Sequence, residues 1–102
     1  MIEEVRLHFD RSEQCLDDAQ FLQEGQRFSA SVGRSYYAMF HAAKAILLDK
    51  GIERNSHQGI ISAFGEFLSK PGLVESKYHQ YLREAFDLRQ ESDYHTIVNV
   101  SN

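Results

Sequence analysis

Two short stretches hold most of the side chains able to do chemistry. One is Leu88-Arg89-Gln90-Glu91-Ser92-Asp93-Tyr94-His95, the other Gly33-Arg34-Ser35-Tyr36-Tyr37-Ala38-Met39-Phe40-His41-Ala42. In the first, Arg89 offers a guanidinium that stabilises charge developing on a phosphate, and His95 an imidazole that carries a proton near neutral pH. The plainer role for Arg89 is an ion pair with Asp93 four residues on, in the less favourable order. In the second stretch, Tyr36 or Tyr37 packs into a core and bonds its hydroxyl to a partner. Arg34 either snorkels to the surface or pairs with a buried carboxylate, for which Asp93 is the candidate.

Other chemistries find less support. The histidines are His8, His41, His57, His79 and His95. None forms an HExxH motif and no cysteine pair exists, so no metal site is expected. A glycine-rich phosphate loop is also missing, and no cofactor is expected. The pairs Glu3-Glu4 and Asp17-Asp18 read as solvated helix faces. Cys15, without a basic neighbour in sequence, reads as a small core-facing thiol.

The elements that must position these residues are helical. Ile2, Val5, Phe9, Leu16, Ala19 and Leu22 form one amphipathic stripe over 2–24, with Gly25 as its stop. A second helix over 27–50 is apolar on more than one face and belongs in the centre of a bundle. Gly33 inside it costs roughly 1 kcal/mol, which a close helix–helix approach would offset. Lys50-Gly51 ends that helix, and Asn55 or Ser56 caps a third over 56–70 with Ile60, Ile61, Phe64, Phe67 and Leu68 inward. Pro71-Gly72 breaks the chain again. The fourth helix, over 73–92, turns Val74, Tyr78, Tyr81, Leu82, Ala85 and Leu88 inward. Residues 94–102 are β-branched and polar without a helical period, and read as a tail. The fold class is all-α, an antiparallel four-helix up-and-down bundle in one domain over 1–102.

Length and composition agree. The chain has 102 residues, 42% hydrophobic and 25% charged, which suits one small globular domain and excludes disorder. Its formal charge of −4 excludes a generally basic nucleic-acid binder and confines any RNA contact to a local patch. The single cysteine fits a reducing, cytoplasmic setting. The acidic, amphipathic first residues do not read as a signal peptide, and no stretch approaches the roughly 20 apolar residues of a membrane span.

Taken in order, Glu24-Gly25, Arg34 to Ala42, Ser56-His57-Gln58-Gly59 and Arg89-Gln90-Glu91-Ser92-Asp93-Tyr94 resemble the HEPN domain family, in its single-domain prokaryotic branch. The resemblance covers roughly residues 20–95. It implies a helical bundle that forms homodimers, often encoded beside a minimal nucleotidyltransferase as a toxin–antitoxin pair. Many members carry Arg-x(4–6)-His, linked to metal-independent RNase activity, with the Arg and His of two protomers meeting across the dimer. Here Arg34-x6-His41 and Arg89-x5-His95 both have that spacing, and the second lies where the family places it. Members silenced by nucleotide transfer carry a tyrosine two residues past the His; here that position is Ile97. Members also continue after Asp-Tyr into a further amphipathic helix, and this sequence reaches Asn102 without one.

The expected function is therefore a toxin-like endoribonuclease acting on RNA, with Arg89 and His95 catalytic and Arg34, Tyr37, His57, Asp93 and Tyr94 supporting the site. The alternative is a non-catalytic subunit, binding nucleotide or substrate for a nucleotidyltransferase partner, in which the same residues form a structural network. A blander third is a helical dimer without activity.

Overall fold

The computed structural model describes residues 2–101, with side chains described as far as Glu91. It contains four helices: α1 (Glu3–Glu24), α2 (Phe28–Asp49), α3 (His57–Phe64) and α4 (Ser76–Ser101), with a π-helical turn (Gly65–Ser69) continuing α3. No strand occurs among the described residues.

α2 is the central element, packed on α1 on one side and on α3 and α4 on the other. Its core residues Tyr36, Phe40, Ala43 and Leu47 meet Ile60, Phe64, Leu68 and Leu82 from α3, the π turn and α4. Its other face is alanine-rich, which lets α1 approach closely and antiparallel. Val5 packs on Ala45 and Leu48. Ser12 Oγ donates to the Ala38 carbonyl at 2.6 Å, and Ser31 Oγ to the Ala19 carbonyl at 2.8 Å. Among the described residues α1 does not touch α4, so the bundle is open along that side.

Several expectations change. The buried stripe of α1 is Val5, Cys15 and Ala19, whereas Leu16 is exposed; the thiol takes the place assigned to the leucine. The fourth helix's stripe is only partly inward. Leu82 is buried, while Tyr78, Tyr81 and Leu88 are about half exposed. They line two apolar grooves between α2 and α4 that meet at Met39. Gly33 is not a close-approach glycine, because a Cβ there would meet nothing within 4 Å. The tail expected over 94–102 is helical as far as Ser101. β-Branched Thr96, Ile97, Val98 and Val100 lower helix propensity, but extending an existing helix is far easier than starting one.

The turns fall where glycine and proline predict them, at Gly51 and Gly72, both with positive φ. After α1 the positive φ belongs to Gln26 rather than to Gly25.

Candidate functional site

The third helix opens with His57. Ser56 caps it, accepting from the Gly59 amide at 2.9 Å. A Cβ at Gly59 would lie 2.8 Å from the Ser56 hydroxyl, so a larger residue there would have to displace the cap. This cap fixes the first turn of α3 and sets the His57 ring against α2. There it stacks on Phe40 at 4.5 Å between centroids, and its Nδ1 lies 2.6 Å from the Tyr36 hydroxyl.

Tyr36 is fully buried, and burial pushes its hydroxyl up to about 12. It therefore stays protonated, and His57 is its only hydrogen-bond partner among the described residues. A buried O–H pointing away from its acceptor would be left unpaired, at a cost of about 1–3 kcal/mol. The hydroxyl thus donates to Nδ1. The neutral ring then carries its proton on Nε2, and Nε2–H is the donor that His57 has to offer. Burial, then the cations Arg89 and Lys44, holds His57 below its ordinary value, so it is neutral at pH 7.

α4 brings Arg89 to the same place. Its guanidinium lies 5.1 Å from the Tyr37 ring centroid and 5.9 Å from that of Tyr36. Tyr37 meets His57 edge-on at 5.8 Å, and Phe86 closes the cluster behind Tyr36 and His57. A cation, a neutral N–H donor and a half-buried aromatic thus converge from α4, α3 and α2. Such a set has the chemistry to accept an anion: the guanidinium supplies charge, His57 a directed donor, and Tyr37 a ring edge.

Of the residues expected from sequence, Arg89, Tyr37 and His57 are brought together. Arg34 lies elsewhere, beside Asp18, Phe21 and Leu22 of α1. The side chains of Asp93, Tyr94 and His95 lie outside the described residues, as does the expected Arg34–Asp93 pairing. Sequence reasoning missed Phe40 and Phe86 as walls and Tyr36 as the group that fixes His57. The only signal was the adjacent Tyr36-Tyr37 pair, which puts one ring inward and the next on the rim.

A second cluster abuts the first. His41, one turn beyond Tyr37, lies with its Nδ1 3.0 Å from that of His8 on α1. The ring centroids are 5.2 Å apart, close to that distance plus two ring radii. The nitrogens therefore face each other in line, which suits one shared proton rather than a chelated metal. Burial first, then His8, Arg11, Lys44 and His57, lowers His41 to about 4. Among the described residues no group of three or more ligands could hold a metal ion, and no helix is long and apolar enough to cross a membrane.

Comparison with known proteins adds a family and several relatives. The HEPN domain family matches residues 5–101. A Methanocaldococcus jannaschii protein named as a candidate toxin is 35% identical over 94 residues, 92% of this chain and 70% of its own. A UPF0332 protein of Pyrococcus horikoshii is 44% identical over 80 residues, 78% of this chain and 56% of its own. Another from Gloeobacter violaceus is 44% identical over 85 residues, 83% of this chain and 68% of its own.

Proposed function

The chain belongs to the HEPN domain family, and we propose that it is a toxin-like, metal-independent endoribonuclease acting on single-stranded RNA. The observation that carries this reading is the convergence of Arg89, His57 and Tyr37 at a half-exposed site that suits a phosphate. The name carried by the Methanocaldococcus relative points the same way.

In the proposed reaction the ribose 2′-oxygen attacks the adjacent phosphorus, giving up its proton. The 5′-oxygen leaves and takes a proton, so the products are a 2′,3′-cyclic phosphate and a 5′-hydroxyl. Arg89 balances the charge that builds on the phosphorane. His57 donates Nε2–H to a phosphate oxygen and orients it. His95 carries the proton. Arg89 and His95 are six positions apart on one helix, a rise of about 9 Å and a rotation of about 240°. Those positions lie on different sides of α4, so we place the partner's His95 at each site. The homodimer this requires is supported by the apolar grooves that meet at Met39, where Phe28 and Leu88 are more than half exposed. Asp93 and Tyr94 act as support, and a minimal nucleotidyltransferase as the antitoxin partner. The setting is cytoplasmic.

One observation favours the rival reading, a non-catalytic subunit for a nucleotidyltransferase. Arg89 already lies over two tyrosine rings, and His57 is already bonded to a buried hydroxyl, as in a structural network. Expression without a partner separates the two. Growth arrest that Arg89→Ala relieves supports the toxin; unchanged growth with a stable, folded chain supports the scaffold.

A further inference from the structure

Beside the Arg89–His57 cluster, α3 and α4 enclose an open groove of about 310 Å³. Its floor is apolar, formed by Ile61 and Phe86. The Phe86 ring is the same one that packs against Tyr36 and His57 at 5.5 and 6.1 Å, so the groove and the anion site share a wall. Sequence ties them as well: Gln58 follows His57, and Gln90 follows Arg89. The rim is polar and carries Gln58, Arg83, Asp87 and Gln90. Among the described residues none of these four side chains has a hydrogen bond or ion pair within the protein. Arg83 and Asp87 are one turn apart on α4, where a direct ion pair would be the ordinary arrangement. Instead both remain available to a ligand.

We propose that this groove is a nucleobase subsite and that it selects guanine next to the phosphate held by Arg89 and His57. The proposal rests on reading the chain as one that handles RNA. The chemistry is set by the rim. A carboxylate offers two acceptors side by side, and guanine is the base whose Watson–Crick edge presents two adjacent donors, N1–H and the N2 amine. Adenine and cytosine present one amine beside an acceptor, which a carboxylate repels. Uracil presents a lone N–H between two carbonyls. A guanidinium complements the opposite edge, O6 and N7 of guanine, in the two-pronged contact that arginine favours. Asp87 and Arg83 together therefore match guanine on both edges, and the Gln58 and Gln90 amides fill single remaining positions. Phe86 provides the surface against which the base lies. The cavity volume suits one base rather than a helix of RNA, whose bases would already be stacked and paired.

The test is binding rather than cleavage, so that it survives failure of the ribonuclease reading. Four short single-stranded oligoribonucleotides, identical but for one G, A, C or U, are titrated against the intact chain by fluorescence anisotropy. The G oligonucleotide is expected to bind roughly tenfold tighter than the others. Asp87→Asn replaces one acceptor with a donor, and should remove that preference without unfolding an exposed position. Arg89→Ala should weaken all four alike and keep their ratio. Equal binding of the four by the wild type, or a G preference that Asp87→Asn leaves intact, overturns the subsite. If the G preference holds but Arg89→Ala changes no affinity, the guanine subsite stands and the placement of the phosphate on Arg89 fails.

Discussion

The Tyr36 hydroxyl stands 2.6 Å from Nδ1 of His57, with the tyrosine fully buried and the imidazole at the rim of the site. That bond fixes which nitrogen of His57 carries the proton. Tyr36→Phe removes the donor, leaves Nδ1 buried without a partner, and frees the ring to change tautomer. The variant should lose about 1 kcal/mol of stability. Nitrogen NMR should show His57 shifting from the Nε2–H form toward a mixture. An unchanged tautomer would mean that something other than Tyr36 sets it.

Arg89 reaches His57 through its field. Burial is the larger cause of the lowered His57 value, and the Arg89 charge comes next. Arg89→Ala should therefore raise the His57 pKa toward the ordinary imidazole range without fully restoring it. Proton NMR titration of the ring reads this directly. A fall, or no movement, would place Arg89 away from His57 in solution.

The in-line His8–His41 pair makes the α1–α2 seam sensitive to acid. His41 sits at about 4 in the folded chain, against 6.5 for an unperturbed histidine. The unfolded chain thus takes up this proton first as pH falls. Stability from this group is complete above about 6.5 and declines as pH drops toward 4; the shift corresponds to about 3 kcal/mol, which solvent screening of a partly exposed ring cuts to about 2 kcal/mol or less. One proton can be shared between the two Nδ1 atoms; a second drives them apart. Urea denaturation between pH 7 and 4 should show this slope in the wild type and a shallower one in His41→Gln. Parallel slopes would contradict it.

Gly33 lies inside α2, and a methyl group added there meets open space. Gly33→Ala should raise stability by about 0.5–1 kcal/mol through helix propensity alone. A loss in chemical denaturation of the monomer would reveal a close neighbour at this position.

The fold was legible because its signals were local. Periodicity found all four helices, and Gly51, Gly72 and Ser56 marked where they stop and start. Leu16 misled because hydrophobicity says nothing of rotation about the axis by one residue, and Cys15 took the buried place. Tyr78, Tyr81 and Leu88 misled because an apolar stripe tells that a face is to be covered, not that one chain covers it. Thr96 to Val100 misled because intrinsic propensity is weak beside the continuation of a formed helix. At the site, Arg89 and Tyr37 were legible from composition within a short stretch. The Tyr36–His57 bond joins residues 21 positions apart through two helices and a cap, and no spacing rule reports it. Asp87 and Arg83 belong to no motif in the sequence, and only the groove beside Phe86 distinguishes them.

The central claim is that Arg89 and its neighbours act on an RNA phosphate. The most direct measurement incubates the purified chain with single-stranded RNA in excess chelator and identifies the termini formed, for the wild type, Arg89→Ala and His95→Ala. The account predicts 2′,3′-cyclic phosphate and 5′-hydroxyl ends with the wild type, and at least a hundredfold slower cleavage with either variant, on the order expected for losing one transition-state contact or one proton carrier. Cleavage by folded Arg89→Ala at the wild-type rate would contradict it.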